Sequence, residues 1–452
     1  MSADDEGPSL EGESVELLRT LIRNACVNDG TEASGQEHRN AEVLGSLLEA
    51  TGADLERYEP VPGRVSLVAS VEPPRPDAEV LVYLAHTDVV PVSPDGWSRD
   101  PFEAEVVDGE VWGRGAVDML NLTSTMAVAF RRLLAKGRPP CGLVYAAVAD
   151  EEAGGGLGAK WLVEHVPLLR SATGVVSEFG GMPMRTPSGR TKLPIVVAEK
   201  GVNWTRLVVH GHPGHGSQPY GADNALHKAA LVVQRLAEAS PEIRIVPVWE
   251  AYVRGLGLDR ELTEALVDPS RVDDALRRLP KGLAVQAHAS TRTTFTPTVA
   301  HGGTKTNVIP DRVELEVDIR ILPGEDPAEV PARLRAILGD LAGSVDIDQR
   351  HRDAGTESPT GTPLWHALAR TAAQIVPGSE LVPFLVAGGT DSRYFRLLGV
   401  PAYGFGLFSE RVPLEDFQAM FHGNDERVDV ESLRRSAQLF AELPHQLAAI
   451  AS

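Results

Sequence analysis

The chain has 452 residues, with 43 basic and 63 acidic side chains and a formal net charge of −20. Such a length exceeds one ordinary core and predicts two domains, while the acidic balance excludes nucleic acid and anionic membrane as partners, since both need neutralising cations. Cys26 and Cys141, the only cysteines, make neither a disulfide framework nor a thiolate site, so any metal must be held by N and O ligands.

The acidic start, Met1–Ser14, has no basic or apolar region of a signal peptide, and no stretch approaches a membrane span. A cytoplasmic protein is expected. Residues 15–50 place Leu, Ile and Val at helical spacing. From about 64 to 180, strands alternate with helical segments such as Leu122–Lys136, the pattern of βαβ units. The character changes near Glu199-Lys200-Gly201. An alternating strand (Val202–Val209), an amphipathic helix (Asn224–Ala239), a second alternating strand (Val313–Leu322) and a second helix (Pro327–Leu341) follow. Half-exposed strands of this kind fit an antiparallel sheet with helices on one face, a smaller α+β domain inserted into the first. After Gly355 the α/β pattern resumes, with a helix at Pro363–Ile375, a strand near Pro401–Phe405 and a final helix near Val430–Ala449. Residues 240–300 carry no clear pattern.

Three short apolar runs end in chemically active residues. Leu81–Ala85 runs into His86-Thr87-Asp88, Leu143–Ala149 into Asp150-Glu151-Glu152, and Gly174–Ser177 into Glu178. Runs of this length read as strands of a parallel sheet buried on both faces, and ligands in such sheets sit beyond the carboxyl ends of the strands. Carboxylates gathered there repel one another unless a cation lies among them. His86 and Asp88, two apart, face the same side, and Asp88 is placed to accept the second ring N–H of a metal-bound His86. Gly113-Arg114-Gly115-Ala116-Val117-Asp118 brings a glycine-rich backbone to an acid before a helix, where Asp118 could equally act as an N-cap. Adjacent Glu151 and Glu152 face different directions, so one can hold a metal while the other holds a proton; an acidic surface turn is the plainer alternative. In the cluster His210, His212 and His215, the loop Pro213-Gly214-His215-Gly216-Ser217 suits one imidazole shown to a substrate better than a three-histidine cage. His422, in Phe421-His422-Gly423-Asn424-Asp425-Glu426, would by itself be read as structural.

Taken together and in this order, these segments resemble the M20 family of zinc metallopeptidases and amidohydrolases from about residue 15 to 440. The resemblance implies a zinc-peptidase-like α/β catalytic domain with a mainly parallel central sheet (1–200 and 354–452) and an inserted α+β, ferredoxin-like lid and dimerisation domain (201–353). It implies two Zn²⁺ ions, with Co²⁺ or Mn²⁺ able to substitute: His86 and Glu178 hold the first, Glu152 and His422 the second, and Asp118 bridges them. Glu151 takes the general-base position, and Asp88 supports His86. His215 matches a lid histidine that reaches the partner subunit's active site in dimeric relatives. Asn307 and Arg320 match lid residues that bind substrate, often its carboxylate. Gly388-Gly389-Thr390-Asp391-Ser392-Arg393 resembles the substrate loop, with Gly389 and Thr390 as contacts and wording nearest the aminoacylase-like branch. Met119-Leu120 departs from the many relatives with a Lys two after the bridging Asp, and 240–300 lengthens the lid. The expected activity is hydrolysis of an amide bond beside a free carboxylate, in an N-acyl amino acid or short peptide, by a homodimer joined through the lid. A di- or tripeptidase and a decayed metal-binding protein are the alternatives; an intact Glu151 argues against the latter.

Overall fold

A computed structural model of the chain describes residues 9–186 and 189–451; the first eight residues of the acidic start lie outside the described residues. A ten-stranded sheet carries the larger part of the molecule. At its centre the strands Gly142–Val148, Val80–His86, Gly174–Ser177 and Ala402–Gly404 run parallel in that spatial order. The first three are buried along their whole length, as their unbroken apolar runs require. Antiparallel strands flank this block: Ser66–Val71 on one side, and Thr191–Glu199 on the other. The helix Leu120–Ala135 packs against the long terminal helix Val430–Ala451 on one face. A separate cluster around Leu162, Val163 and Phe395 covers the other face.

The smaller sheet is antiparallel throughout, with Arg312–Ile321 paired to Thr205–His210 and to Thr294–Gly302. Along Arg312–Ile321 burial alternates residue by residue, and the helices Ala225–Glu238 and Val330–Leu338 cover the buried face in a core of their own. The predicted strand Val202–Val209 is broken at Asn203-Trp204. There Asn203 turns inward to donate to the Asp353 carbonyl at 2.9 Å and to accept from Gln349 at 2.9 Å. The two chain crossings between the sheets, at 199–203 and 353–355, therefore lie side by side.

Of residues 240–300, only the strand from Thr294 onward joins the small sheet, and the stretch 247–290 does not lengthen the lid as expected. That stretch forms short helices, among them Pro247–Gly255 and Lys281–Ser290, and Trp249, Tyr252 and Val253 join the core of the large sheet rather than that of the small one. Pro247–Gly255 lies on Ser379–Val386, a strand with no counterpart in the sequence reading, parallel to Thr191–Glu199. Pro383 inside that apolar run obscured it. Among the described residues no helix is long and apolar enough to cross a membrane.

Candidate active site

The carboxyl ends of the central strands supply most of the site. His86 closes its strand, Glu151 and Glu152 begin a 3-10 turn after Val148, and Glu178 follows Ser177. Asp118 precedes the helix beginning at Leu120, and His422 arrives from the loop before the strand Arg427–Asp429. Asp150, Phe179 and His422 all adopt left-handed backbone, with φ of 71°, 64° and 55°. For residues other than glycine this is a cost that surrounding structure must enforce, and such residues gather at functional sites.

All five side chains expected as ligands converge. His86 Nε2 lies 3.3 Å from Asp118 Oδ1 and 3.5 Å from Glu178 Oε2. His422 Nε2 lies 3.4 Å from Asp118 Oδ2 and 3.2 Å from Glu152 Oε2. Asp118 thus offers one oxygen to each of two histidine–carboxylate groups. His86, Glu151 and Glu178 also have ligand atoms within 4.8 Å of one another, as do His86, Asp118 and Glu152. The buried Oε1 atoms of Glu152 and Glu178 have no hydrogen-bond partner among the described residues. Hard carboxylate and imidazole donors, with two buried oxygens unsatisfied, fit divalent cations of the zinc, cobalt or manganese type.

Around these ligands the buried polar groups are occupied. His86 Nδ1 donates to the main-chain carbonyl of Asp88 at 2.9 Å, which turns Nε2 into the site. The Asp88 carboxylate was expected in that role, but its Oδ1 is 3.6 Å from Nδ1. It accepts instead from Asn28 at 2.8 Å and from the N–H groups of Glu151 at 3.2 Å and Glu152 at 3.1 Å, so it fixes the turn that carries both acids. Asp150 points away from the site, into a buried ion pair with Arg64 at 2.8 Å. Glu426, missed by sequence reasoning, organises the Asp118 loop. Its carboxylate accepts from the N–H groups of Gly115, Val117 and Asp118 at 3.0, 2.6 and 2.9 Å and from Arg114 at 2.8 Å. Glu426 and this loop are some three hundred residues apart in the chain, and nothing local to either reveals the pairing.

The crowding of buried acids and histidines shifts the titration of each member. Burial opposes charge on His86, yet hydrogen bonds to Asp118 and Glu178 lift it well above the ordinary histidine range. Hydrogen bonds to Asp118 and Glu152 raise His422 to about 10. Burial, and then the charge of Glu178, hold Glu151 well above the usual carboxylate range. Burial pushes Glu178 up to about 8 against the pull of His86.

Beside the acids lies a cleft of about 180 Å³, where Val202, Trp204, Arg320 and His351 of the smaller domain face Gly389 and Arg393. Arg320 and Gly389, both expected as substrate contacts, line this cleft, and the Arg320 guanidinium forks onto Asp318 at 2.7 and 3.1 Å. Thr390 is not a lining residue. Its N–H and hydroxyl donate to the buried Glu199 carboxylate at 2.8 and 2.6 Å, which turns it away from the cleft. His215 and Asn307 do not line the cleft of their own chain. Both are exposed on one small ribbon, Gly214–His215 paired with Val308–Ile309, where the Gly216 N–H meets the Asn307 carbonyl at 2.8 Å. His210 and His212 bind separate carboxylates, Asp346 at 2.7 Å and Asp223 at 2.8 Å, so the three histidines form no cage. Trp204, His351 and Arg393 were not singled out from sequence; only Arg393 lay in a recognised motif.

A sheet whose parallel strands deliver paired acids and histidines to one cleft, under a smaller antiparallel domain, defines a metal-dependent hydrolase acting on C–N bonds. The chain belongs to peptidase family M20/M25/M40, whose model matches residues 82–446. It is similar to human aminoacylase-1, with 26% identity over 450 residues and 98% of each chain covered. An N-fatty-acyl-amino acid synthase/hydrolase of Xenopus tropicalis is 27% identical over 387 residues, covering 81% of this chain and 72% of the relative. Among solved structures, an M20 family metallo-carboxypeptidase from Sulfolobus solfataricus shares the fold with a TM-score of 0.73 at 18% identity, covering 97% of this chain and 99% of the other.

Proposed function

We propose that this protein is a cytoplasmic amidohydrolase that removes the acyl group from N-acyl amino acids, with two zinc ions held by His86, Asp118, Glu152, Glu178 and His422. The observation that carries the reading is the sharing of Asp118 between the two histidine–carboxylate groups. The similarity to human aminoacylase-1 along nearly the whole chain supports an acyl substrate. When bound, divalent cations polarise the scissile carbonyl and acidify the attacking water.

The residues of the chain do the rest. Glu151, beside the ligand Glu152 on the turn after the buried strand, accepts a proton from the attacking water and returns it to the departing amine. Asp88 holds the backbone of Glu151 and Glu152 so that the base and its neighbouring ligand keep different directions. Arg320 and Arg393 supply the positive charge that receives the substrate carboxylate, and the planar guanidinium suits that group. His215, with Asn307 beside it, completes the partner subunit's site and steadies the oxyanion, within a homodimer joined through the domain inserted between residues 200 and 354.

The test is a panel of N-acyl amino acids, their carboxamides and matched dipeptides, assayed with added Zn²⁺ or Co²⁺. Cleavage of N-acyl amino acids, with the carboxamides at least about tenfold poorer for want of the charge-assisted contact, is expected. Equal cleavage of carboxylate and carboxamide would remove the arginines from recognition; cleavage of dipeptides alone would replace the acylase reading with a peptidase.

A further inference from the structure

The metal-ligand cluster opens on two sides, and the second side is chemically unlike the first. Asp118, Phe179, Gly388 and His422 line both the small cleft described above and a larger one of about 640 Å³. The small cleft carries Arg320, Arg393 and His351. The larger is walled by Val285, Phe384, Val386, Ala387, Ala419 and Phe421. Among its described lining residues, Lys281 is the only ionisable side chain besides Asp118 and His422.

This apolar wall is built rather than incidental. One side is the helix Lys281–Ser290, within the segment that sequence left unpatterned. Gln286 ties that helix to the end of the Ser379–Val386 strand by donating to the Leu385 carbonyl at 2.7 Å, and it reaches Ser290 at 2.8 Å. Phe179 and Phe421 pack with ring centroids 4.9 Å apart, and Phe417 meets Phe421 at 5.2 Å. Val285 is 62% exposed on the helix and joins no core, yet it faces this cleft. A large apolar side chain left in solvent within a concave apolar surface is the usual mark of a ligand site.

We infer that the larger cleft receives an apolar acyl chain well beyond acetyl, so that the substrate is an amino acid N-acylated by a medium or long hydrocarbon chain and carries no free amino terminus. The inference rests on the proposed acylase reading and deepens it. With the scissile carbonyl at Asp118 and His422, the carboxylate lies toward the arginines and the acyl group toward Val285. A peptide in the same pose would place an α-ammonium between apolar walls and Lys281, with no carboxylate but Asp118 to receive it. Burying an unpaired ammonium is costly, whereas each methylene added to an acyl chain gains by leaving water.

The experiment measures kcat/KM of the metal-loaded enzyme for one amino acid acylated with chains from acetyl to dodecanoyl. Hexanoyl is compared directly with 2-aminohexanoyl, which differs by the ammonium alone. We expect about a two- to fourfold rise per methylene until the cleft is filled, and about a tenfold or greater penalty for the amino group. Val285→Glu, at an exposed position, should flatten the chain-length slope and narrow that penalty; Val285→Trp should shorten the longest chain favoured. A flat or falling slope in an enzyme that still cleaves acetyl substrates overturns this inference and leaves the acylase reading standing. Equal rates for hexanoyl and 2-aminohexanoyl overturn it as well. Failure to cleave any N-acyl amino acid overturns the underlying reading instead.

Discussion

Asp118 shows how much of this site rests on single atoms: each of its oxygens faces a different histidine, and a carboxylate placed this way can join two centres. Glu151 and Glu152 are neighbours in sequence with separate tasks. Glu151→Gln should keep metal content and fold but lower kcat by about 10²–10⁴-fold, because a carboxamide cannot take the proton. Glu152→Gln should lose about one equivalent of metal. Metal analysis beside turnover separates the two, and near-normal turnover in Glu151→Gln would remove it as the base. The proton balance of the cluster gives a second expectation. Folded His422 holds its proton up to about 10 against an ordinary 6.5, and folded Glu178 up to about 8 against 4.5. Groups raised in this way stabilise the fold fully below their ordinary values, and that contribution is lost as pH rises through the folded values. Chelator-treated protein should therefore lose melting temperature between about pH 5 and 10, while metal-loaded protein, its protons already displaced, should lose less. Burial lowers Lys200 to about 7 and acts with the opposite slope, but equally in both forms, so the difference between them reports the site. Parallel curves would contradict this account.

Among the elements, those whose sequence pattern is local were readable and those that depend on distant partners were not. Val80–His86, Gly142–Val148 and Gly174–Ser177 announce themselves as apolar runs because both of their faces are covered, and each delivers its acid or histidine at the end. The alternation of Arg312–Ile321 marks a sheet covered on one face in the same direct way. Ser379–Val386 escaped because Pro383 interrupts it, and the helices of 247–290 escaped because they are short, with Pro247–Gly255 packed on that unseen strand and the others on their helical neighbours. His86, Asp118, Glu151, Glu152, Glu178 and His422 were legible through motif order. Glu426, His351 and Trp204 act through contacts that only the folded chain creates. Asp88 does meet His86 Nδ1, but with its carbonyl nearer than its carboxylate, because spacing shows which side a residue faces and not which of its oxygens lies nearer. The paired crossings between the sheets yield an expectation at this scale. A Cβ on Gly201 would lie 2.2 Å from the Asp353 carbonyl and 2.6 Å from the Gly355 nitrogen, both main chain. Gly201→Ala should force the crossings apart and cost about 1–3 kcal/mol. Its denaturant midpoint should fall, and an unchanged midpoint would show that the crossings separate freely.

For the whole molecule, the placement of His215 and Asn307 matters most. They share an exposed ribbon away from their own cleft, so their proposed work requires a second subunit. Inactive His215→Ala and inactive Glu151→Gln chains, mixed and allowed to exchange, should form heterodimers with one intact composite site and recover activity; no recovery despite demonstrated exchange would place His215 outside the chemistry. The central claim is that two cations joined through Asp118 work together on one amide bond. Its most direct test is stepwise reconstitution of chelator-treated protein with Zn²⁺ or Co²⁺, following bound metal per chain and turnover in the same samples. The account predicts that turnover reaches its maximum only as the second equivalent binds. Full activity with one ion or fewer per chain would contradict it.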